Sequence, residues 1–173
     1  LFTICAGRDF SPRHPAMDRQ AYLRSVGLEA DDSCVIAGIA ARLNPVKDVA
    51  TLIRGFAKAY EHCPNLRLLI AGDGEERTML EGLARELGVE RQVCFAGWIS
   101  DTDSFYNAID INTLTSLSET FPYALTEGAR AGLPTVASRV GGVPYLIEDG
   151  VTVLLFEAGD PDGLARQLTA LAQ

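Results

Sequence analysis

Residues 34–40 read CVIAGIA and residues 66–72 read LRLLIAG, two continuous apolar runs that decide the fold. A strand with one wet face alternates apolar and polar residues. A run without alternation is buried on both faces, as in a parallel sheet covered by helices on each side. Each run is followed by a longer stretch of helical period. After the first, Val49, Leu52, Ile53, Phe56, Ala57 and Tyr60 recur at helical spacing. After the second, Met79, Leu80, Leu83, Ala84 and Leu87 form a stripe that ends near Gly88, a usual helix stop.

The alternation continues outward. QVCFAG (92–97) gives a third strand, residues 101–109 a short helix, and DINTLT (110–115) a fourth strand. PYALTEGARAG (122–132) gives a helix opened by Pro122 in its first turn, TVAS (135–138) a fifth strand and TVLLF (152–156) a sixth. A last helix begins near Asp160 and Pro161. The expected fold class is α/β: a Rossmann-like, doubly wound, mainly parallel sheet of six strands. Residues 1–33 read differently. RDFSPRHPAMDRQ (8–20) carries two prolines, many charges and no sustained period, so 1–33 is expected to be a connecting segment from a missing N-terminal domain, with the domain proper at 34–173.

Composition narrows the function classes. A chain of 173 residues with 47% hydrophobic residues suits one globular domain. Its formal charge of −8 argues against a broad nucleic-acid surface, so any phosphate site must be local. No apolar run approaches the roughly 20 residues that span a bilayer, and the first residues show no basic leader. A soluble, cytoplasmic protein is expected. Cys5, Cys34, Cys63 and Cys94 are widely spaced and read as reduced thiols, and two histidines, His14 and His62, make a His-rich metal site or a Ser-His-Asp site improbable.

Open α/β sheets bind ligands at the carboxyl ends of their strands. After the first strand, ARLNPVKD (41–48) places Arg42 and Lys47 there, a planar fork of donors and a mobile point charge that together suit a diphosphate. Two solvated surface cations would read the same. After the fourth strand, Glu119 and Glu127 are separated by seven residues with a helix starting between them. The first-turn amides of Tyr123 and Ala124 would point toward an anion. Solvated helix-end acids would give the same spacing. An NAD-binding fold fits poorly, because GIAARLNP (38–45) stands where the glycine-rich turn would be.

The ordered series GIAARLNPVKD, LRLLIAGDGEE, VCFAGWISD, SETFPYALTEGARAGLP and VGGVPYLIEDG resembles the C-terminal domain of the retaining GT-B glycosyltransferases that use nucleotide-diphospho sugars. CAGRDFSP (5–12) is similar to the segment that enters this domain. The resemblance runs from about Cys34 to the chain end and implies one half of a GT-B fold. It further implies a catalytic set of Glu119 at the transferred sugar with Arg42 and Lys47 at the diphosphate. Glu127 would hold the ribose hydroxyls. The backbone around Phe121, Tyr123 and Ala124 would meet sugar and phosphate, and Trp98 or Ile99 would border the base, although Trp98 equally suits a packing role.

Three positions depart from that pattern. Thr120 and Asp48 stand where glycine is common, and Gly128 replaces a more usual alanine, which should weaken its helix slightly. Gly141 and Gly142 read as a turn. The implied partner is a nucleotide-sugar donor, with no cofactor, no metal and no nucleic acid, and any membrane contact would come through the missing half. A GT-B nucleotide-sugar epimerase, a phosphorylase-like relative, and a nucleotide-sugar-binding module without catalysis share the same sheet. The isolated chain is expected to bind donor without transferring sugar.

Overall fold

A computed structural model describes residues 14–147, 150 and 153–173; Cys5 and the 5–12 segment lie outside the described residues. Six strands form one sheet: β1 (Val35–Ala40), β2 (Leu66–Ala71), β3 (Val93–Gly97), β4 (Ile111–Leu114), β5 (Thr135–Ser138) and β6 (Val153–Phe156). Their order is β3-β2-β1-β4-β5-β6, and every neighbouring pair is parallel. The expected doubly wound sheet is therefore present. The order reverses between β1 and β4, where Ala37 is in register with Ile111.

Side chains of a strand point alternately to opposite faces. Ala37, Ile39, Leu68 and Ile70 enter a core beneath α2 (Val49–Tyr60), α3 (Arg77–Glu86) and α7 (Pro161–Ala172). Ile36 and Leu69 point the other way, toward Phe105 and Ile109 around α4 (Thr102–Ala108). That is why β1 and β2 read as unbroken apolar runs. Phe56, Leu52 and Ile53 of α2 are fully buried, and each such side chain contributes about 1.5–3 kcal/mol relative to exposure. A smaller core joins Leu114, Val143 and Leu155 to Leu125 of α5 (Tyr123–Arg130); a short α6 (Val143–Leu146) follows.

Three details differ from the sequence reading. Met79 is exposed, while Leu80, Leu83 and Ala84 are buried. At 100° per residue Met79 falls off the edge of the stripe. Pro122 is the N-cap of α5 rather than its first-turn residue: its backbone is extended, and its carbonyl accepts from the amides of Leu125 at 3.0 Å and Thr126 at 3.4 Å.

The third difference is a helix, α1 (Arg19–Val26), within the segment that showed no period. Asp18 caps it through the Ala21 amide at 2.8 Å, and Gly27 closes it in the left-handed conformation. Tyr22 and Leu23 are buried in the second core. Arg19 makes a two-pronged bond to Asp110, 2.8 Å on each arm, and reaches the Cys34 carbonyl at 3.0 Å. The packed body thus reaches back beyond residue 34. With two buried side chains in eight residues, α1 carries too little periodicity to read in isolation.

Candidate functional site

The reversal of strand order opens a crevice between the carboxyl ends of β1 and β4, and both exit loops carry predicted site residues. After β1, Pro45–Lys47 form a tight 3-10 turn whose amide at Lys47 is bound by Asn44 Oδ1 at 3.2 Å. The next residue, Asp48, has φ 44°, a left-handed conformation that glycine adopts freely and aspartate tolerates. Its carboxylate caps α2 through the Thr51 amide at 3.3 Å. Asp48 therefore serves as a helix cap.

The two exit loops are stitched together. Thr115 Oγ1 donates to the Lys47 carbonyl at 2.8 Å, and the Leu117 amide donates to the Val46 carbonyl at 2.8 Å. Lys47 Nζ then meets Glu119 Oε1 at 2.5 Å, and Ser116 Oγ donates to the same oxygen at 2.7 Å. The Glu119 side chain is 9% exposed and that of Lys47 28%. A partly buried ion pair of this kind is screened far less than a surface pair.

Arg42 leaves the same strand end but turns elsewhere. Its side chain is 73% exposed, and its guanidinium lies 3.9 Å from Glu75, a solvated contact. The loop beneath it is fixed by Leu43 donating to the Asp73 carbonyl at 3.0 Å and accepting from the Glu76 amide at 3.2 Å. Burial, with Glu75 and Asp48 nearby, pushes the Glu76 carboxyl above its ordinary value. The structure brings Lys47 and Glu119 together; it does not bring Arg42 to them.

Gly141 and Gly142, read as a turn, prove to support Glu119. Gly141 has φ 49°, and a Cβ there would lie 1.8 Å from the Glu119 carbonyl oxygen. The Gly142 amide donates to that oxygen at 3.2 Å. No side chain fits between the two loops. The two loops are far apart in sequence, so this contact was invisible there; Thr120 beside it is exposed.

Glu127 stands one turn into α5 and accepts from Arg130 Nη1 at 3.2 Å; Arg130 also lies 3.6 Å from Asp103 of α4. Asp103 accepts from the His14 backbone amide at 2.9 Å. Arg130 and Asp103 were missed by the sequence reading, though an acid and a base at i and i+3 on a helix were a visible signal. At the start of α5, Pro122 supplies no side-chain cap, and among the described residues the Ala124 amide finds no acceptor. Phe121 and Tyr123 pack edge to face at 5.1 Å, with Tyr123 half exposed. Trp98, beyond the edge strand β3, is 84% exposed, whereas Ile99 is half-buried against the second core.

Gly128 has a packing reason. A Cβ at this position would lie 2.3 Å from Nδ2 and 3.0 Å from Cβ of the buried Asn112 in β4, so alanine would not fit here. The expected weakening of α5 is offset by close helix-to-sheet approach.

Residues 25–173 match the model of the glycosyl transferases group 1 family. The chain belongs to that family. It is 37% identical over 122 residues to the lipopolysaccharide core biosynthesis glycosyltransferase LpsE of Rhizobium meliloti, covering 70% of this chain and 35% of that protein. It is 32% identical to the D-inositol 3-phosphate glycosyltransferase of Mycobacterium marinum, covering 89% of this chain and 33% of that one. Among solved structures, Anabaena Alr3699/HepE in complex with UDP and glucose superposes with a TM-score of 0.79 at 27% identity, over 88% of this chain and 42% of HepE. The C-terminal domain of the group 1 protein LpcC from Francisella tularensis has the same fold, with a TM-score of 0.81 at 24% identity over 95% of this chain and 87% of that one.

This group 1 chain thus spans about a third of the curated relatives it matches and carries the fold of the C-terminal half of GT-B enzymes. Among its described residues no helix is long and apolar enough to cross a membrane.

Proposed function

We propose that this chain binds the nucleotide-diphospho-sugar donor of a retaining hexosyltransferase, and that the acceptor is held by the part of the relatives' length that it does not span. The observation that carries this reading is the Lys47–Glu119 pair in the crevice between β1 and β4. A cation for the diphosphate and a carboxylate for sugar hydroxyls stand there side by side. The structurally similar HepE, solved in complex with UDP-glucose, supports a uridine donor of this type.

Glycosyl transfer breaks the bond between the anomeric carbon and the diphosphate, so negative charge grows on the leaving phosphate. Lys47 and the Ala124 amide at the start of α5 stabilise that charge, and Arg42, exposed on a mobile stem, swings in to join them. Glu119 accepts hydrogen bonds from the transferred sugar. Glu127 holds the ribose hydroxyls, Phe121 and Tyr123 flank the sugar and phosphate, and Trp98 or Ile99 borders the base. The cations take the place of a divalent metal, so a chelator leaves turnover of the whole enzyme unchanged. The enzyme works in the cytoplasm, where Cys34, Cys63 and Cys94 remain free thiols.

Titration calorimetry of the 173-residue chain with UDP, UDP-glucose and uridine tests the reading. Binding in which the diphosphate supplies most of the affinity supports it, and the absence of binding by UDP-, GDP- and ADP-sugars alike would overturn it. Acceptor-dependent release of nucleoside diphosphate by the whole protein separates a transferase from an epimerase or a binding module.

A further inference from the structure

Two hydroxyls at the carboxyl end of β4, Thr115 and Ser116, are completely buried, and each bonds a different element of the site. Thr115 holds the backbone of Lys47 at 2.8 Å. Ser116 donates at 2.7 Å to Glu119 Oε1, the oxygen that also takes Lys47 Nζ. Ser116 is itself immobilised, because its carbonyl accepts from the buried Ser138 Oγ at 2.6 Å at the end of β5. Among the described residues, Oε2 of Glu119 takes no hydrogen bond.

The geometry points to Ser116 as a positioning residue for Glu119: it fixes one carboxylate oxygen so that the other is presented to the donor sugar. This inference rests on the reading of Glu119 as a sugar contact. A carboxylate can turn about its terminal torsion, which is broad and roughly two-fold. Lys47 alone cannot hold it during donor binding, since a diphosphate competes for the ammonium. Ser116 has no such competitor. Its short, rigid side chain keeps the carboxylate in place while Lys47 is shared, and an interaction that must strengthen in the transition state depends on that fixed geometry.

The test is titration calorimetry of the 173-residue chain with UDP and UDP-glucose, using Ser116→Ala, Glu119→Gln, the double variant and Thr113→Val as a control for local packing. The wild-type gain of UDP-glucose over UDP should fall roughly tenfold in Ser116→Ala while UDP affinity stays within about twofold, one tenfold step being about 1.4 kcal/mol. The double variant should lose no more than Glu119→Gln alone, because the hydroxyl acts through the carboxylate. Thr113→Val, which loses a buried β4 hydroxyl bonded to the Gly38 carbonyl and touches neither Ser116 nor Glu119, should lower the melting temperature without moving the ratio.

Equal losses for both ligands in Ser116→Ala, or additive losses in the double variant, would assign Ser116 to structure and overturn the inference. If Glu119→Gln removes the sugar gain and Ser116→Ala does not, the positioning role alone fails. If Glu119→Gln leaves the sugar gain untouched, the sugar-contact reading fails and takes the positioning role with it. Thermal unfolding of every variant separates loss of a contact from loss of the fold.

Discussion

Lys47 Nζ stands 2.5 Å from Glu119 Oε1, across 72 residues of sequence. Each residue leaves a different strand, β1 or β4, and the two strands are neighbours only because the sheet reverses its order there. On the proposed reading, the pair marks where a diphosphate and a sugar would meet.

Lys47→Ala should weaken binding of UDP far more than binding of uridine, and Arg42→Ala should do the same to a smaller extent. On the proposed reading, each variant loses a phosphate contact and leaves the base site alone. Lys47→Ala should also lower stability more, since it leaves a nearly buried carboxylate without its cation, whereas Arg42 is 73% exposed. Calorimetric titration with both ligands decides; equal losses for UDP and uridine would make these cations structural.

The two glutamates should separate cleanly. Glu127→Gln should weaken UDP binding roughly tenfold, about 1.4 kcal/mol, by loosening its hold on the ribose. Glu119→Gln should leave UDP affinity intact, because its proposed contact is with the transferred sugar and UDP carries none, and should lower sugar transfer in the whole enzyme. Isothermal titration and steady-state rates read the two effects apart. If neither substitution changes affinity or turnover in folded protein, the assignment of both is wrong.

Gly128→Ala should destabilise the domain by about 1–3 kcal/mol in urea unfolding, despite the higher helix propensity of alanine. The added methyl would press against the buried Asn112, which has no room to retreat. An increase in stability would show that β4 and α5 can move apart at little cost.

At Asp48 the left-handed backbone and the cap work against each other. Asp48→Ala should cost about 1–2 kcal/mol, since it loses the bond to the Thr51 amide and keeps φ at 44°. Asp48→Gly should be nearly neutral, relieving the backbone as it loses the cap. Equal melting temperatures for both variants would remove the backbone argument.

Tyr22 is buried with no partner for its hydroxyl among the described residues, and burial, with Asp101 and Cys94 nearby, pushes its pKa from 10.0 up to about 12. A raised folded value means that its contribution to stability is complete below pH 10 and declines as the pH climbs toward 12. Tyr22→Phe should flatten the alkaline end of the stability profile and raise stability at neutral pH, about 1 kcal/mol being typical of an unpaired buried polar group. An unchanged alkaline limb would mean that another group sets it.

The strands were legible because burial on both faces leaves unbroken runs such as residues 35–40, and the long helices because one face of each is apolar. The short α1 was not legible, since Tyr22 and Leu23 are its buried residues and its hold on the body comes from Arg19 reaching Asp110, 91 residues away. The sequence by itself determined an α/β sheet, the two exit loops and the residue types that suit a nucleotide sugar. Tertiary structure alone decided that Lys47 faces Glu119 while Arg42 faces Glu75, that Gly141 backs the Glu119 carbonyl, and that Gly128 makes room for Asn112. The reason is physical: burial pattern is written along the chain with a fixed period, but contacts between loops depend on strand order and register, which no local stretch encodes.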